Sequence, residues 1–200
     1  MPHADQRAMS GAEPSTPGGH AAQRAPSTRD EILRVAAEQF SHSGYKGTSL
    51  QEIAAAVGCS KATLLYHFAG KDSMLHALIA PAAHALAELV TRLDTLDDTA
   101  VQPAAIDGFV DLVLRYRREV ALIYDILPLP QFLQEPAFDT VRPYTDRLCA
   151  AFAGRSADPG LVTAAKVVLG GIAGAVLDDD RDAADLRPTL TTVARRALLA

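Results

Sequence analysis

Residues 50–68 read LQEIAAAVGCSKATLLYHF, and the order of small, glycine and apolar positions in this stretch decides the fold. Two helices joined by a tight turn need a small residue where they cross and a residue that tolerates positive φ in the turn. They also need an apolar anchor on the second helix. Ala54, Gly58 and Leu64 meet these three needs in that order. With Phe68 one turn after Leu64, the stretch predicts a helix-turn-helix motif.

The outward face of the second helix follows from its apolar anchors. The side chains left facing outward are Lys61, Ala62, Thr63 and Tyr66, with Leu65 beside them. This face is short, carries a single charge and is able to enter the major groove of DNA. A helical hairpin inside any all-α core gives the same pattern, so the motif alone leaves both interpretations open.

Capping signals divide residues 27–80 into four short helices. The predicted starts are Thr28 with Glu31, Ser49 with Glu52, Ser60, and Gly70. The first two pairs have the spacing of a capping box, in which a hydroxyl and a carboxylate satisfy each other's backbone N–H groups. Gly44 and Gly58 are predicted to end the first and second helices, because glycine disfavours a helix interior.

The rest of the chain is also helical in its periodicity, and no alternating strand pattern is present. Pro81 is predicted to separate two helices. The later predicted segments are roughly 82–96, 103–127 with a break near Arg118, 136–153, 159–178 and 184–199. We therefore predict an all-α fold in which a three-helix domain with the helix-turn-helix precedes a larger helical bundle.

Composition suggests three parts along the chain. Residues 1–26 are rich in Pro, Gly, Ser and Ala without apolar periodicity, and we expect a disordered tail there. Residues 27–75 carry five basic and five acidic side chains, so this domain is neutral. Residues 76–200 carry 12 Lys and Arg against 17 Asp and Glu, which accounts for the whole net charge of −5. The total charge therefore does not argue against nucleic acid as a partner of residues 27–75.

Several kinds of site are not expected. Cys59 and Cys149 stand 90 positions apart without CxxC or Cys/His spacing, so no zinc site, redox site or cofactor is predicted. The Asp178 to Asp182 run has the spacing of a solvated loop rather than of a calcium-binding loop. The N-terminus lacks the apolar stretch of a signal peptide, and the longest apolar run, from Val167 to Leu177, is too short to span a bilayer. A soluble cytoplasmic protein without a membrane partner is expected.

Residues Thr28 to Leu78 read TRDEILRVAAEQFSHSGYKGTSLQEIAAAVGCSKATLLYHFAGKDSMLHAL, about a quarter of the chain. This stretch resembles the N-terminal domain of the TetR family of transcriptional repressors along its whole length. The matching features are Phe40, Gly44, Tyr45 and Thr48, the IAAAVGCS turn, the Tyr66-His67-Phe68 ending and the Gly70-Lys71-Asp72 start of the next helix. The resemblance implies a double-stranded DNA operator as the partner.

The resemblance also implies separate roles for the matching positions. Thr48 and Ser49 would donate hydroxyl and backbone N–H groups to a phosphate at a helix N-terminus. Further DNA-backbone anchors would be Ser60, Tyr66, His67 and Lys71. Base-edge contacts would come from Lys61, Ala62 and Thr63. The family usually has Gly where this chain has Ala62 and often an aromatic residue where it has Leu65. These two departures bear on operator affinity and base preference rather than on DNA binding itself.

For residues 76–200 the resemblance implies a small-molecule effector and a homodimer. Five aromatic residues are the candidate effector contacts: Phe109, Tyr116, Tyr124, Phe132 and Tyr144. They lie among apolar residues, and a few polar groups in an apolar cavity suit a small ligand. The candidate dimer helices carry Gly170, Gly171, Gly174 and Ala175 with Val167, Val168, Ile172 and Val176 on one, and Leu190, Val193, Ala197 and Leu198 on the other.

Two other classes of function, an enzyme and a helical interaction module, fit the sequence less well. An enzyme is disfavoured because the sequence has no GxSxG, HExxH or P-loop motif, and His76 and His84 have no partner carboxylate at ligand spacing. A helical interaction module that has lost DNA binding is the alternative, since residues 27–75 are neutral and Leu65 removes a possible phosphate contact. The leading interpretation is a ligand-responsive regulator, most simply a repressor.

Overall fold

The computed structural model describes residues 27–126, 141–179 and 181–199, and every regular element within these ranges is an α-helix. The helices are α1 (Thr28–Gly47), α2 (Leu50–Val57), α3 (Lys61–His67), α4 (Lys71–Leu93), α5 (Val101–Arg115), α6 (Arg117–Ile126), α7 (Arg142–Phe152), α8 (Pro159–Leu177) and α9 (Ala183–Leu198). The predicted all-α fold is confirmed. The expected tail at residues 1–26 and the candidate Phe132 lie outside the described residues.

Capping explains where the short helices begin. Ser49 forms the predicted capping box with Glu52, and the hydroxyl of Ser60 accepts a hydrogen bond from the backbone N–H of Thr63, as predicted for an N-cap. The box at α1 is one residue earlier than predicted, because Ser27 rather than Thr28 is the N-cap and its partner is Asp30. Both pairs in this stretch have the same spacing, so sequence alone did not separate them.

Two predicted breaks differ from the structure. Pro81 does not end a helix, because α4 runs without interruption from Lys71 to Leu93 with Pro81 exposed inside it. Proline removes one helical hydrogen bond, and here apolar side chains on both sides of it, such as Ile79 and Ala82, are buried and hold the helix together. The break predicted near Arg118 occurs at Tyr116, the C-cap of α5.

The buried side chains form two clusters. The first, which we call the headpiece core, joins α1 to α4 around Ile32, Phe40, Ile53 and Leu64. The second, the bundle core, joins the remaining length of α4 to α5, α7, α8 and α9. Helix α6 contributes to both clusters, since Leu122 is buried in the headpiece core and Val120 in the bundle core.

Helices α4 and α8 are long and apolar enough to cross a membrane by length and composition. The unbroken apolar run from Val167 to Leu177 covers only part of α8, so its predicted shortness is not contradicted. A core helix of a soluble protein passes the same test, so the finding is weak evidence for a membrane segment. Residues of both helices, such as Leu86 and Ile172, pack in the bundle core.

Candidate nucleic-acid interface and cavity

The turn between α2 and α3 is built around Gly58. Its φ of 77° and ψ of 28° are left-handed, a conformation that glycine adopts without steric cost. The backbone N–H of Cys59 then donates to the carbonyl of Ala54 at 2.9 Å, which closes the end of α2. An added Cβ at Gly58 would meet no atom within 4 Å, so backbone conformation rather than space requires glycine here.

Helix α3 divides into a buried and an outward side as the sequence predicts. Leu64 is fully buried and Phe68 is 4% exposed, so the two anchors hold the helix against the headpiece core. The outward residues Lys61, Ala62, Thr63, Leu65 and Tyr66 are all exposed. Tyr66 is 86% exposed, more than any other large hydrophobic side chain among the described residues. A tyrosine left in water beside a helix surface is available to a partner.

Ser49, Ser60 and His67 also lie at this surface. Both serines are exposed, and their hydroxyl oxygens accept backbone hydrogen bonds. The hydroxyl of Ser60 also shares a hydrogen bond of 2.9 Å with the hydroxyl of Thr63. The ring of His67 meets the ring of Tyr66 edge-on, with centroids 5.2 Å apart. These positions surround the outward face of α3, at the N-termini of α2 and α3 and at the C-terminus of α3.

Thr48 occupies a different environment from the one predicted. Its side chain is 3% exposed, and its hydroxyl donates to the carbonyls of Gly44 at 2.9 Å and Gln39 at 3.1 Å. The predicted hydroxyl contact from Thr48 to a phosphate is therefore wrong in this conformation, because the group is buried and already bonded. Thr48 instead bonds back to two carbonyls of α1 and stabilises the end of that helix.

Lys71 also makes contacts inside the headpiece. Its Nζ donates to the carbonyl of Thr48 at 2.9 Å and to the carbonyl of Tyr45, and it lies 4.2 Å from the centroid of the Tyr45 ring. Burial lowers the pKa of the Lys71 ammonium. The hydroxyl of Tyr45 donates to the carboxylate of Asp72. Lys71 thus ties the start of α4 to the end of α1 while it keeps a positive charge near the N-terminus of α2.

The comparison of sequences decides what this headpiece is. The sequence profile of bacterial regulatory proteins of the tetR family matches residues 32–78. These residues form a TetR-family DNA-binding domain. The matched segment includes α2, the Gly58 turn and the whole of α3.

Curated relatives share this TetR-family segment. The repressor KstR2 of Mycolicibacterium smegmatis is 34% identical over 77 residues, which are 38% of this chain and 36% of KstR2. The negative transcriptional regulator IcaR of Staphylococcus aureus is 46% identical over 46 residues, which are 23% of this chain and 25% of IcaR. The chain therefore matches about a third or less of the length of these relatives. Both are transcriptional regulators, in agreement with the expectation that the chain is not an enzyme.

The fold of this chain resembles solved structures of TetR-family regulators over most of its length. A TetR-family regulator of Streptomyces coelicolor A3 superposes with a TM-score of 0.69 at 21% identity, covering 90% of this chain and 96% of that chain. The ketosteroid transcriptional regulator KstR2 of Mycobacterium tuberculosis gives a TM-score of 0.66 at 15% identity, covering 88% and 96%. At such identities the likeness shows the fold, including the bundle behind the headpiece.

A cavity of about 590 Å³ lies in this bundle, between α4, α5, α6, α7 and α8. Its lining residues are Ile79, Ala82, Ala83, Leu86, Phe109, Leu112, Val120, Ile123, Tyr124, Val141, Arg142, Thr145, Leu148, Leu169, Gly170 and Ala173. Nearly all of them are apolar, and the volume is within the usual range for small-molecule sites. Tyr124 is half-buried here, and burial raises the pKa of its hydroxyl.

The predicted aromatic set is only partly assembled at this cavity. Phe109 and Tyr124 line it, but Tyr116 does not. Helix α5 ends at Tyr116, and the tyrosine ring lies beside the guanidinium of Arg115 instead. Tyr144 lines a neighbouring cavity of about 380 Å³, together with His76 and His84. Helix α4 also lines the cavity, through Ile79, Ala82, Ala83 and Leu86, which the search for aromatic side chains in the sequence does not identify because they are aliphatic.

The two predicted dimer helices, α8 and α9, each have one side buried in the bundle core and one side exposed. Ile172, Val176, Leu190 and Leu198 are buried in the bundle core of the same chain, so their predicted place in a dimer interface is wrong. Val167 and Val193 are 67% and 62% exposed. An added Cβ at Gly170, Gly171 or Gly174 would meet no atom within 4 Å, and Ala175 and Ala197 are exposed. Helices α8 and α9 therefore present an apolar surface of small residues to the outside.

Proposed function

We propose that this protein is a transcriptional repressor that binds a palindromic operator as a homodimer and is released by a small apolar effector. The cytoplasm, where DNA is accessible, is its proposed location. The observation that carries the proposal is the outward face of α3, five exposed residues held over the buried Leu64 within a segment that matches the tetR-family profile. The relatives KstR2 and IcaR, named as a repressor and a negative regulator, support the direction of control.

Base recognition is proposed for the first turn of α3. Lys61, Ala62 and Thr63 are exposed at the N-terminal end of the helix, the end that enters the major groove in helix-turn-helix proteins. Backbone contacts are proposed for Ser49, Ser60, Tyr66, His67 and Lys71. For Lys71 the proposed contact uses the charge of an ammonium that is already held by two carbonyls.

The proposed dimer explains the apolar surface on α8 and α9. One short recognition helix reads too few base pairs for specificity, and two-fold symmetry doubles the site. Exposed valines with glycines between them let helices of a second copy approach closely. We place Val167 and Val193 in the interface, since a monomer would leave both in water.

The proposed effector occupies the cavity of about 590 Å³. Its almost entirely apolar walls favour an apolar or weakly polar molecule, with Phe109 as a wall and the hydroxyl of Tyr124 as a polar group for orientation. Tyr116 lies outside this cavity and Tyr144 lines the neighbouring one. Phe132, which is outside the described residues, stays a proposed wall of the effector site. A tenfold loss of operator affinity needs only about 1.4 kcal/mol of coupling between the effector and DNA.

Thermal-shift screening of hydrophobic metabolites, followed by operator release with each hit, tests the effector. Ala83 on α4 lines the cavity and is not part of the proposed dimer surface on α8 and α9, so Ala83→Leu should fill the cavity and abolish the stabilisation by hits. Tyr116 lies outside the cavity, so Tyr116→Phe should leave that stabilisation unchanged. Light scattering of Ala83→Leu checks that the oligomeric state is retained. Hits that stabilise the protein but leave operator affinity unchanged contradict a regulatory cavity.

A further inference from the structure

Arg29, in the first turn of α1, stacks its guanidinium group on the ring of Phe68. The Cζ atom lies 4.7 Å from the ring centroid. Phe68 is the C-cap of α3 and is almost fully buried, so its ring is a fixed platform. The start of α1 is thereby held beside the C-terminal end of the helix that carries the outward face. Arg29 has none of the roles assigned above.

The charge of Arg29 is available to an approaching anion. The residue is exposed, and no carboxylate of the described residues lies within ion-pair distance of it. Arg34, further along α1, is in a different state, because its guanidinium contacts Glu31 at 2.6 Å and Glu38 at 2.5 Å. Among the described residues, Arg34 has two carboxylates at ion-pair distance, whereas Arg29 has only the weaker attraction of its neighbour Asp30, whose pKa it helps to lower.

Helix stability does not account for an arginine at this position. The first turn of a helix has a partial positive charge, so acidic residues stabilise it and a cation opposes it. Asp30 and Glu31 follow the favourable pattern, whereas Arg29 contradicts it. A cation–π contact at an exposed site is similar in size to that repulsion, so the two roughly cancel and the fold gains little from the arginine. The placement of Arg29 therefore points to a partner outside the chain.

We propose that Arg29 binds a DNA phosphate beside the C-terminal end of α3, with Phe68 as its platform. The proposal rests on the DNA binding proposed above. Helix α3 has seven residues and is about 10 Å long, and the major groove is about 12 Å wide. Groups at the two ends of such a helix lie near the phosphates that border the groove. Ser60 is at one end, and the guanidinium of Arg29 is at the other.

Guanidinium chemistry suits this role better than an ammonium would. The planar fork of arginine binds two phosphate oxygens at once, and its flat face stacks on an aromatic ring at the same time. Stacking on Phe68 fixes the orientation before DNA arrives, which lowers the entropy lost on binding. A phosphate contact carries no sequence information, so Arg29 should add affinity and fix the docking angle without affecting base preference.

The test compares Arg29→Met with Arg34→Met in the full chain. Both variants remove one positive charge from α1 and keep an apolar stem, so they are matched for net charge. Operator affinity is measured by fluorescence anisotropy over a range of KCl concentrations, on a duplex from the protein's own promoter region and on a scrambled duplex of the same length. Arg29→Met should lower the slope of log K against log salt by about 0.9 for each protomer bound.

Arg29→Met should weaken binding by the same factor on both duplexes, and Arg34→Met should leave the slope unchanged. Arg29→Lys should keep the slope and lose part of the affinity, because an ammonium neutralises a phosphate but does not stack as a plane. The melting temperature of DNA-free Arg29→Met should be no lower than that of the wild type, which a merely structural role for Arg29 would not allow.

Three results overturn the inference or its basis. A wild-type slope for Arg29→Met removes Arg29 from the DNA interface while the proposed repressor function stands. A change of base preference in Arg29→Met makes it a base contact and contradicts the phosphate assignment. If the wild-type chain itself binds neither duplex in a salt-dependent way, both the proposed function and the role of Arg29 fail.

Discussion

Asp125, near the end of α6, accepts a hydrogen bond from the backbone N–H of Tyr45 at 2.9 Å, 80 positions away in the sequence. The bond lies beside Gly44, where φ is 72° and the helical conformation of α1 is interrupted. Neighbours of Asp125 on α6, Ile123 and Tyr124, line the bundle cavity. Helix α6 thus lines the cavity and is also hydrogen-bonded to the end of α1, so it connects the two directly.

Removal of this link should destabilise the protein. Asp125→Ala removes the carboxylate that accepts this hydrogen bond and should lower the free energy of unfolding by about 1–3 kcal/mol. Asp125→Asn keeps an acceptor oxygen and should lose less. Urea denaturation measures both variants, with Asp146→Ala, an exposed carboxylate on α7, as the control. Equal losses for the alanine and asparagine variants at position 125 would contradict a role for the hydrogen bond.

Lys71 and Tyr66 should contribute sequence-independent affinity. Lys71→Ala should weaken binding to every duplex alike and reduce the salt slope by about one unit, because a phosphate-facing charge is lost. Tyr66→Phe should also weaken all sequences alike, with no change in slope. Since Nζ of Lys71 also bonds two carbonyls of the α1–α2 connection, Lys71→Ala should lower the melting temperature as well. A wild-type melting temperature for Lys71→Ala would show that those bonds are dispensable.

Lys61 and Thr63 should determine base preference. Replacement of either by alanine should change the preferred base at one position in each half-site, at about 1–3 kcal/mol for each lost bidentate contact. Competition binding with a library of single-base operator variants measures the preference. Lys166→Ala removes an exposed lysine on α8 and is the matched control. If Lys71→Ala altered base preference and Lys61→Ala did not, the two roles would be reversed.

Val167 should be essential to the dimer. Val167→Asp places a charge on a side chain that is 67% exposed in the single chain, so the fold should tolerate it. In the proposed interface the same charge would be buried without a partner, which is costly. Light scattering at micromolar concentration should then give a monomer with much weaker operator binding. A Val167→Asp protein that remains dimeric with full affinity would place the interface elsewhere.

The local features of the headpiece could be predicted from sequence because their partners are close along the chain. The Ser49–Glu52 box, the Ser60 cap and the left-handed Gly58 each depend on residues within a few positions. Leu64 and Phe68 were recognisable as anchors from helical periodicity alone. The same reasoning placed the outward face of α3 correctly, because the face is what remains when the anchors are removed.

Features that depend on distant partners were not predictable in this way. The hydroxyl of Thr48 bonds to carbonyls four and nine positions back, and Lys71 bonds to carbonyls 23 and 26 positions away. Family resemblance assigned both to the surface, while tertiary packing buries the hydroxyl. The local richness in aromatic residues predicts that Tyr116 and Phe109 share one site. Helix α5 ends at Tyr116, however, and of these two residues only Phe109 lines the cavity.

The most direct test is a titration of the purified full chain against a duplex from its own promoter region at several salt concentrations, followed by footprinting of the bound complex. We predict binding by a dimer, a steep fall of affinity with salt, and a two-fold symmetric footprint with half-sites about one or more helical turns apart. The Lys61→Ala and Thr63→Ala proteins should lose the preference for this duplex. A correctly folded chain that binds no duplex, or binds all duplexes with equal affinity, would contradict sequence-specific repression and favour a helical interaction module.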